Sequence, residues 1–167
     1  MTRARTQTLA AQAATTAGRH FQLIVDVHLL LLRNGRILLG RRANTGYGDG
    51  AYEPPSGRLA ERETIVEAAV RVATAKAGID LGAARVSVAH VMHDVSGAGR
   101  IAFFLVVDGW DGAPSPAAAS YTDLGWFSLR DLPADMIDRA RVAVRNCAAG
   151  TRFSTYPAFG PLRRYTR

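Results

Sequence analysis

Two apolar runs separated by Asn34-Gly35 constrain the fold of this 167-residue chain more than any other feature. The first, FQLIVDVHLLLLR, begins at Phe21 and is rich in residues that favour strands; the second, RILLGRR, begins at Arg36. Asn-Gly accepts the positive φ that a two-residue hairpin turn requires, so the spacing predicts an antiparallel pair at the start of the folded domain. Residues 1–19, rich in Ala, Thr, Gln and Arg without a core-forming pattern, read as a flexible N-terminal arm outside it.

The rest of the chain alternates strand and helix signals. Gly46, Gly48 and Gly50 around Tyr47 and Asp49 make a flexible loop, followed by a short strand over 52–54. After Pro55-Ser56-Gly57 a helix is expected over 64–77, closed by Gly78. Its apolar positions Ile65, Val66, Ala69, Val70, Val72 and Ala73 wrap around more than one side, as in a helix packed between a sheet and another layer. Residues 85–95 and 100–108 read as strands joined by Ser96-Gly97-Ala98-Gly99, 124–129 as a final strand, and 133–149 as an amphipathic helix ending before Gly150. One helix after the third strand and another at the end predict an α/β/α sandwich around a mixed β-sheet. A hydrophobic content of 48% supports a single buried core, so one domain is expected over 20–150, with a basic C-terminal tail over 151–167.

Composition narrows the partners. The single cysteine, Cys147, excludes an internal disulfide framework, and no apolar run of spanning length or secretory segment is visible, so a cytoplasmic protein without a membrane partner is expected. The net charge of +7 is carried almost wholly by arginine, whose fork suits phosphate and carboxylate, and a small anionic molecule is the expected ligand. Coding bias toward arginine would give the same balance. No basic run interleaved with aromatics appears in the body of the chain, so a nucleic-acid partner is not expected. The tail, FSTYPAFGPLRRYTR, could dock on its own domain or on a second copy in a homodimer, or stay solvated.

Residues 57–79 read GRLAERETIVEAAVRVATAKAGI. The segment resembles the signature of the Nudix hydrolases, G-x5-E-x7-R-E-U-x-E-E-x-G-U with U aliphatic. Gly57, Glu63, Arg71, Gly78 and Ile79 match at the required spacing, and Ala73 is a small stand-in at the first aliphatic position. Trp126-Phe127 followed by Asp131-Leu132-Pro133 is also similar to the late segment of that family, so the resemblance spans about residues 21–149. It implies a Nudix-like fold and diphosphate-cleaving chemistry, but the three glutamates of R-E-U-x-E-E are Val72, Ala75 and Lys76 here. Three carboxylates at i, i+3 and i+4 would share one helix face and suit Mg2+, which takes oxygen ligands and bridges substrate phosphates. Valine and alanine offer no such ligand, and the ammonium of Lys76, the only lysine in the chain, repels a divalent cation and supplies positive charge itself.

Lys76 is accordingly the first candidate for binding a phosphate, carboxylate or enolate oxygen; its bland alternative is a surface lysine favoured by the helix dipole. The resemblance implies that Glu63 and Arg71 pair and shape the loop, with Arg71 and Arg58 as further candidates for the substrate. Glu53, on the strand before the turn, is a candidate general acid or base. Asp26 and His28 stand two apart on the first strand and share a face; buried in an apolar strand they need a partner, or a role in moving a proton. His90 shares its face with Met92 and Asp94, and Arg41, Tyr47 and Tyr52 flank the glycine-rich loop, where they could clasp an anion or stack on a ring. His28, His90, His93 and Cys147 lack clustered ligand spacing, so no structural metal is expected, and Ser56 lacks a nucleophile elbow.

Three functions fit. The first is a diverged Nudix-fold enzyme acting on a small anionic metabolite with no cofactor and without the Mg2+ cluster. The second is a metal-dependent hydrolase of nucleoside-diphosphate-linked compounds that holds Mg2+ weakly through Glu53, Glu63, Glu67 or Asp123. The third is a catalytically silent ligand-binding module.

Overall fold

The structure, a computed structural model, describes residues 21–82 and 84–157, so the expected arm over 1–19 and the end of the tail lie outside the described residues. Strand β1 (Ile24–Arg33) lies inside the sheet because it is apolar on both faces. Val27, Leu29 and Leu31 belong to one core cluster and Leu30 to the other, and each fully buried leucine contributes about 1.5–3 kcal/mol. Asn34 and Gly35, with φ of 50° and 71°, turn the chain into β2 (Arg36–Arg42), which pairs antiparallel with β1 as the dipeptide predicts.

Beyond the hairpin come β3 (Tyr52–Glu53), β4 (Ser56–Arg58), helix α1 (Ile65–Val72), β5 (Arg85–Asp94), β6 (Arg100–Asp108), β7 (Tyr121–Ser128), helix α2 (Asp138–Ala148) and β8 (Phe153–Tyr156). The sheet runs β3-β2-β1-β6-β5-β8, with β4 also on β1 and β7 also on β2. It is mixed, since β1 is parallel to β6 and antiparallel to β2 and β4. Ala68, Ala69 and Val72 of α1 close one core, and Ala140, Ala143 and Val144 of α2 close the other. The result is the expected α/β/α sandwich.

The structure departs from the sequence reading in several elements. Ser56–Arg58 pair as a strand rather than only turning the chain, and Val66 and Val70 are exposed, so α1 packs on one side. The last helix starts at Asp138 rather than near residue 133, because the preceding residues pair with β3: Tyr52 donates its N–H to the Asp135 carbonyl and Ile137 donates to the Tyr52 carbonyl, each at 2.9 Å. The strand at 121–128 is not the final one. Residues within the stretch read as tail form β8, parallel to Val91–Asp94 of β5, so the sheet continues past Gly150.

Candidate functional site

The approach to the site is set by the loop and helix after β4. Thr64 caps α1 by accepting from the Glu67 N–H, and the Glu67 carboxylate accepts from the Thr64 N–H at 2.7 Å, so two otherwise orphaned donors are met. Glu63 accepts from Arg71 Nε at 2.6 Å and Nη2 at 2.7 Å, and Arg71 also donates to the Arg58 carbonyl at 2.8 Å. The bidentate guanidinium and the Ala60 N–H hold the Glu63 carboxyl at about 2. This pair ties the loop to the helix. Gly57 lets the loop lie against α1, since a Cβ there would stand 2.8 Å from Val72 Cγ2.

After Val72 the helix widens into a π turn over Ala73–Ala77 and stops at Gly78 in the left-handed region, φ 64°. The three positions that replace the glutamates then have different surroundings. Val72 is buried in the core, Ala75 is exposed, and only Lys76 reaches the cleft. Its Nζ donates to Ser120 Oγ at 2.5 Å and lies 5.3 Å from the centroid of the Tyr121 ring. Burial lowers the Lys76 pKa; the nearby Glu53 opposes this and Arg42 adds to it.

Lys76 opens onto a cleft of about 230 Å3 built from most elements of the fold. Asp26 and His28 come from β1, Arg42 from β2, Glu53 from β3, Ser56 and Arg58 from β4, Arg100 from β6, Tyr121 from β7 and Arg139 from α2; Thr45, Tyr47 and Gly57 complete the wall. Five side chains are cationic and two are carboxylates. Both carboxylates are engaged. Asp26 accepts from Arg100 Nη1 at 2.7 Å, and Glu53 Oε1 accepts from Arg42 Nη1, from Ser56 Oγ at 3.1 Å and from the Tyr121 hydroxyl at 3.2 Å. Glu53 itself is 3% exposed. Tyr121, buried beside that carboxylate, has its pKa pushed well above the phenol range, chiefly by burial, and stays a donor.

His28 stacks on Phe104 with ring centroids 4.5 Å apart, and its Nδ1 is buried without a hydrogen-bond partner among the described residues. Burial lowers its pKa, against the pull of Glu53 and Asp26, so the imidazole is neutral at pH 7. Arg42 reaches past Glu53 to the glycine-rich loop, donating to the Tyr47 carbonyl and to Thr45 Oγ1 at 2.9 Å each. Arg139 donates to the Tyr47 hydroxyl at 3.0 Å from the other side. A wider groove of about 750 Å3, carrying Asp49, Asp135 and Asp138, adjoins the cleft and shares Tyr47 and Arg139 with it.

Of the residues singled out from the sequence, Asp26, His28, Glu53, Lys76, Tyr47 and Arg58 converge on the cleft. Arg71, Arg41, Tyr52 and His90 do not. Arg71 serves the Glu63 pair, and Arg41 stacks over Tyr52 at 4.4 Å and pairs with Asp135 at 3.2 Å on the other side of the strand. Tyr52 is buried against Phe127, and His90 is buried beneath β8, bonded to the Thr151 carbonyl and Ser154 Oγ. The sequence reading missed Arg42, Arg100, Arg139 and Tyr121. The Arg41-Arg42 pair carried a partial signal: adjacent in a strand, one of the two had to face Glu53's side, without saying which.

A NUDIX domain family profile matches residues 21–147, and the chain belongs to that family. Among solved structures, it is similar to a MutT NUDIX hydrolase from Burkholderia pseudomallei, with 26% identity, a TM-score of 0.67, and coverage of 74% of this chain and 97% of that one. A MutT protein from Methanosarcina mazei Go1 has the same fold at 19% identity, a TM-score of 0.64, and coverage of 76% and 94%. So does a bifunctional NMN adenylyltransferase/ADP ribose pyrophosphatase from Francisella tularensis complexed with AMP and a manganese ion, at 17% identity and a TM-score of 0.56, over 87% of this chain and 47% of that one. No curated protein matches the chain.

A divalent cation of the kind the family's box holds does not fit these residues. The three box positions supply no carboxylate. Asp26 and Glu53 are each paired with a guanidinium, Glu63 is held by Arg71 and Glu67 caps α1. Asp123 lies on β7 opposite Arg41, away from the cleft. Among the described residues no group of three His, Cys, Asp or Glu side chains could hold a metal ion. No described helix is long and apolar enough to cross a membrane.

Proposed function

We propose that this chain is a diverged Nudix-fold enzyme that binds a small anionic metabolite in the 230 Å3 cleft and acts on it without a divalent-metal cluster. The observation that carries this reading is the ammonium of Lys76 at the position of a family glutamate, opening onto a cleft already lined by Arg42, Arg58, Arg100 and Arg139. Such a set of fixed cations stabilises charge that develops on a substrate oxygen, the task a metal performs elsewhere in the family. Neutral His28, which lines the cleft, is the group able to accept a proton. Asp26 and Glu53 act as positioning residues that aim Arg100 and Arg42. Arg71, Arg41, Tyr52 and His90 hold the frame.

The test pairs binding with turnover. Calorimetry with inorganic phosphate should give the same affinity with Mg2+ and with EDTA, and Lys76→Ala should weaken it by about tenfold to a hundredfold, as expected for one cation about 5 Å from the anion in a partly shielded site. Cleavage of nucleoside-diphosphate-linked compounds to a nucleoside monophosphate and a second phosphate ester that requires Mg2+ or Mn2+ would overturn the proposal and return the chain to metal-dependent hydrolysis.

A further inference from the structure

The cleft uses two kinds of cation in a chain that otherwise uses one. Of the 21 lysine and arginine residues only Lys76 is a lysine, and it is the one on the pocket face of the helix end. If positive charge were all that this position had to supply, arginine would serve, as it does at the four other cationic positions of the cleft. What lysine adds is an amine that can lose its proton and become a nucleophile; a guanidinium cannot.

The surroundings suit that use. The amine is half-buried, held in place by Ser120 Oγ and lodged over the Tyr121 ring, so its position is fixed at the wall of the cleft. Burial favours its neutral form; the nearby Glu53 opposes this and Arg42 adds to it. His28, also neutral, lines the same cleft. The arginines around the amine would hold a carboxylate or phosphate borne by the same substrate.

We infer that Lys76 forms a Schiff base with a small carbonyl compound that carries an anionic group, such as a 2-oxo acid or a phosphorylated aldehyde. The amine lone pair adds to the carbonyl carbon, and the carbonyl oxygen takes up a proton to give a carbinolamine. Loss of water, which carries away the carbonyl oxygen and both amine hydrogens, leaves the C=N bond. No oxidant or metal is consumed. The inference rests on the reading of the cleft as an anion site, and it adds covalent chemistry to it.

The experiment is reductive trapping of the full chain with glyoxylate and cyanoborohydride, followed by peptide mass spectrometry, with phosphate calorimetry run on the same samples. Because Lys76 is the only lysine, an adduct elsewhere is confined to the N-terminal amine and is readily separated. The expected result is a reduced adduct on the peptide containing Lys76, suppressed at least tenfold by excess phosphate, and absent in Lys76→Arg and Lys76→Met, which should melt cooperatively as the wild type does. Adduct on the N-terminal amine alone, with phosphate binding intact, would overturn the Schiff base and leave the anion site standing. Failure of both trapping and phosphate binding would remove both. Trapping at Lys76 that phosphate does not affect would also overturn the inference, since it would mark a merely accessible amine.

Discussion

Removing the Glu53 carboxylate tests the electrostatic construction of the cleft most directly. Its side chain is 4% exposed and that of Arg42, its partner, 13%, so the pair is largely out of water. Taking one member from a buried ion pair leaves the other charge unmatched and costs about 3–5 kcal/mol. Glu53→Ala also strips the acceptor shared by Ser56 Oγ and the Tyr121 hydroxyl, although Tyr121 can fall back on the Pro54 carbonyl at 3.4 Å. The expected loss is about 4 kcal/mol, or roughly 8–16 °C in melting temperature for a chain of this size. Glu53→Gln keeps an oxygen for the same donors and loses only the charge, so it should cost less, about 2–3 kcal/mol. Urea unfolding at constant m-value measures both. Added phosphate should restore part of the loss in the alanine variant, because an anion beside Arg42 stabilises the native state by mass action. A loss below about 1 kcal/mol for Glu53→Ala would mean that the Arg42 contact is made in water, and the assignment of Glu53 as a buried positioning residue would fall.

Gly40→Ala should disturb the same group from behind: a Cβ at Gly40 would stand 2.6 Å from Tyr121 Cδ2, so the ring must move, at a cost of about 1–3 kcal/mol in urea unfolding, with weaker phosphate binding as Tyr121 leaves Glu53. His28 makes stability depend on pH. Because burial lowers its folded-state pKa, the unfolded chain takes up a proton near 6.5 that the folded chain still refuses, so stability falls as pH drops below about 6.5; His28→Phe should flatten that part of the profile, and an unchanged slope would place the imidazole in water.

The frame was more legible in the sequence than the site, and for a physical reason. Asn34-Gly35, the loop-to-helix segment and Gly78 are local signals, each fixed by what a few neighbouring residues can do with their backbones, and each appears where expected. The cleft is assembled from residues far apart in the chain: Arg100 meets Asp26 across 74 positions and Tyr121 meets Glu53 across 68. Nothing local distinguishes Arg42 from Arg41; the register that places Gly40 opposite Glu53 and Arg41 opposite Tyr52 decides which guanidinium faces the cleft. His90 misled because alternation gives a side chain's face without saying what covers it, and the strand that covers it is only four residues long.

That short strand also bears on how the molecule behaves toward its neighbours. β5 has ten residues, and without β8 its outer row of amides and carbonyls would be open to pairing with any passing strand. By adding in parallel to Val91–Asp94, with His90 anchored to Ser154, the chain covers that stretch with its own backbone. The sheet then presents the four-residue β8 in front of it, too short to template long intermolecular ladders. Among the described residues, the Val91–Asp94 stretch of β5 is thereby closed to pairing with another strand by the same segment that completes the sheet.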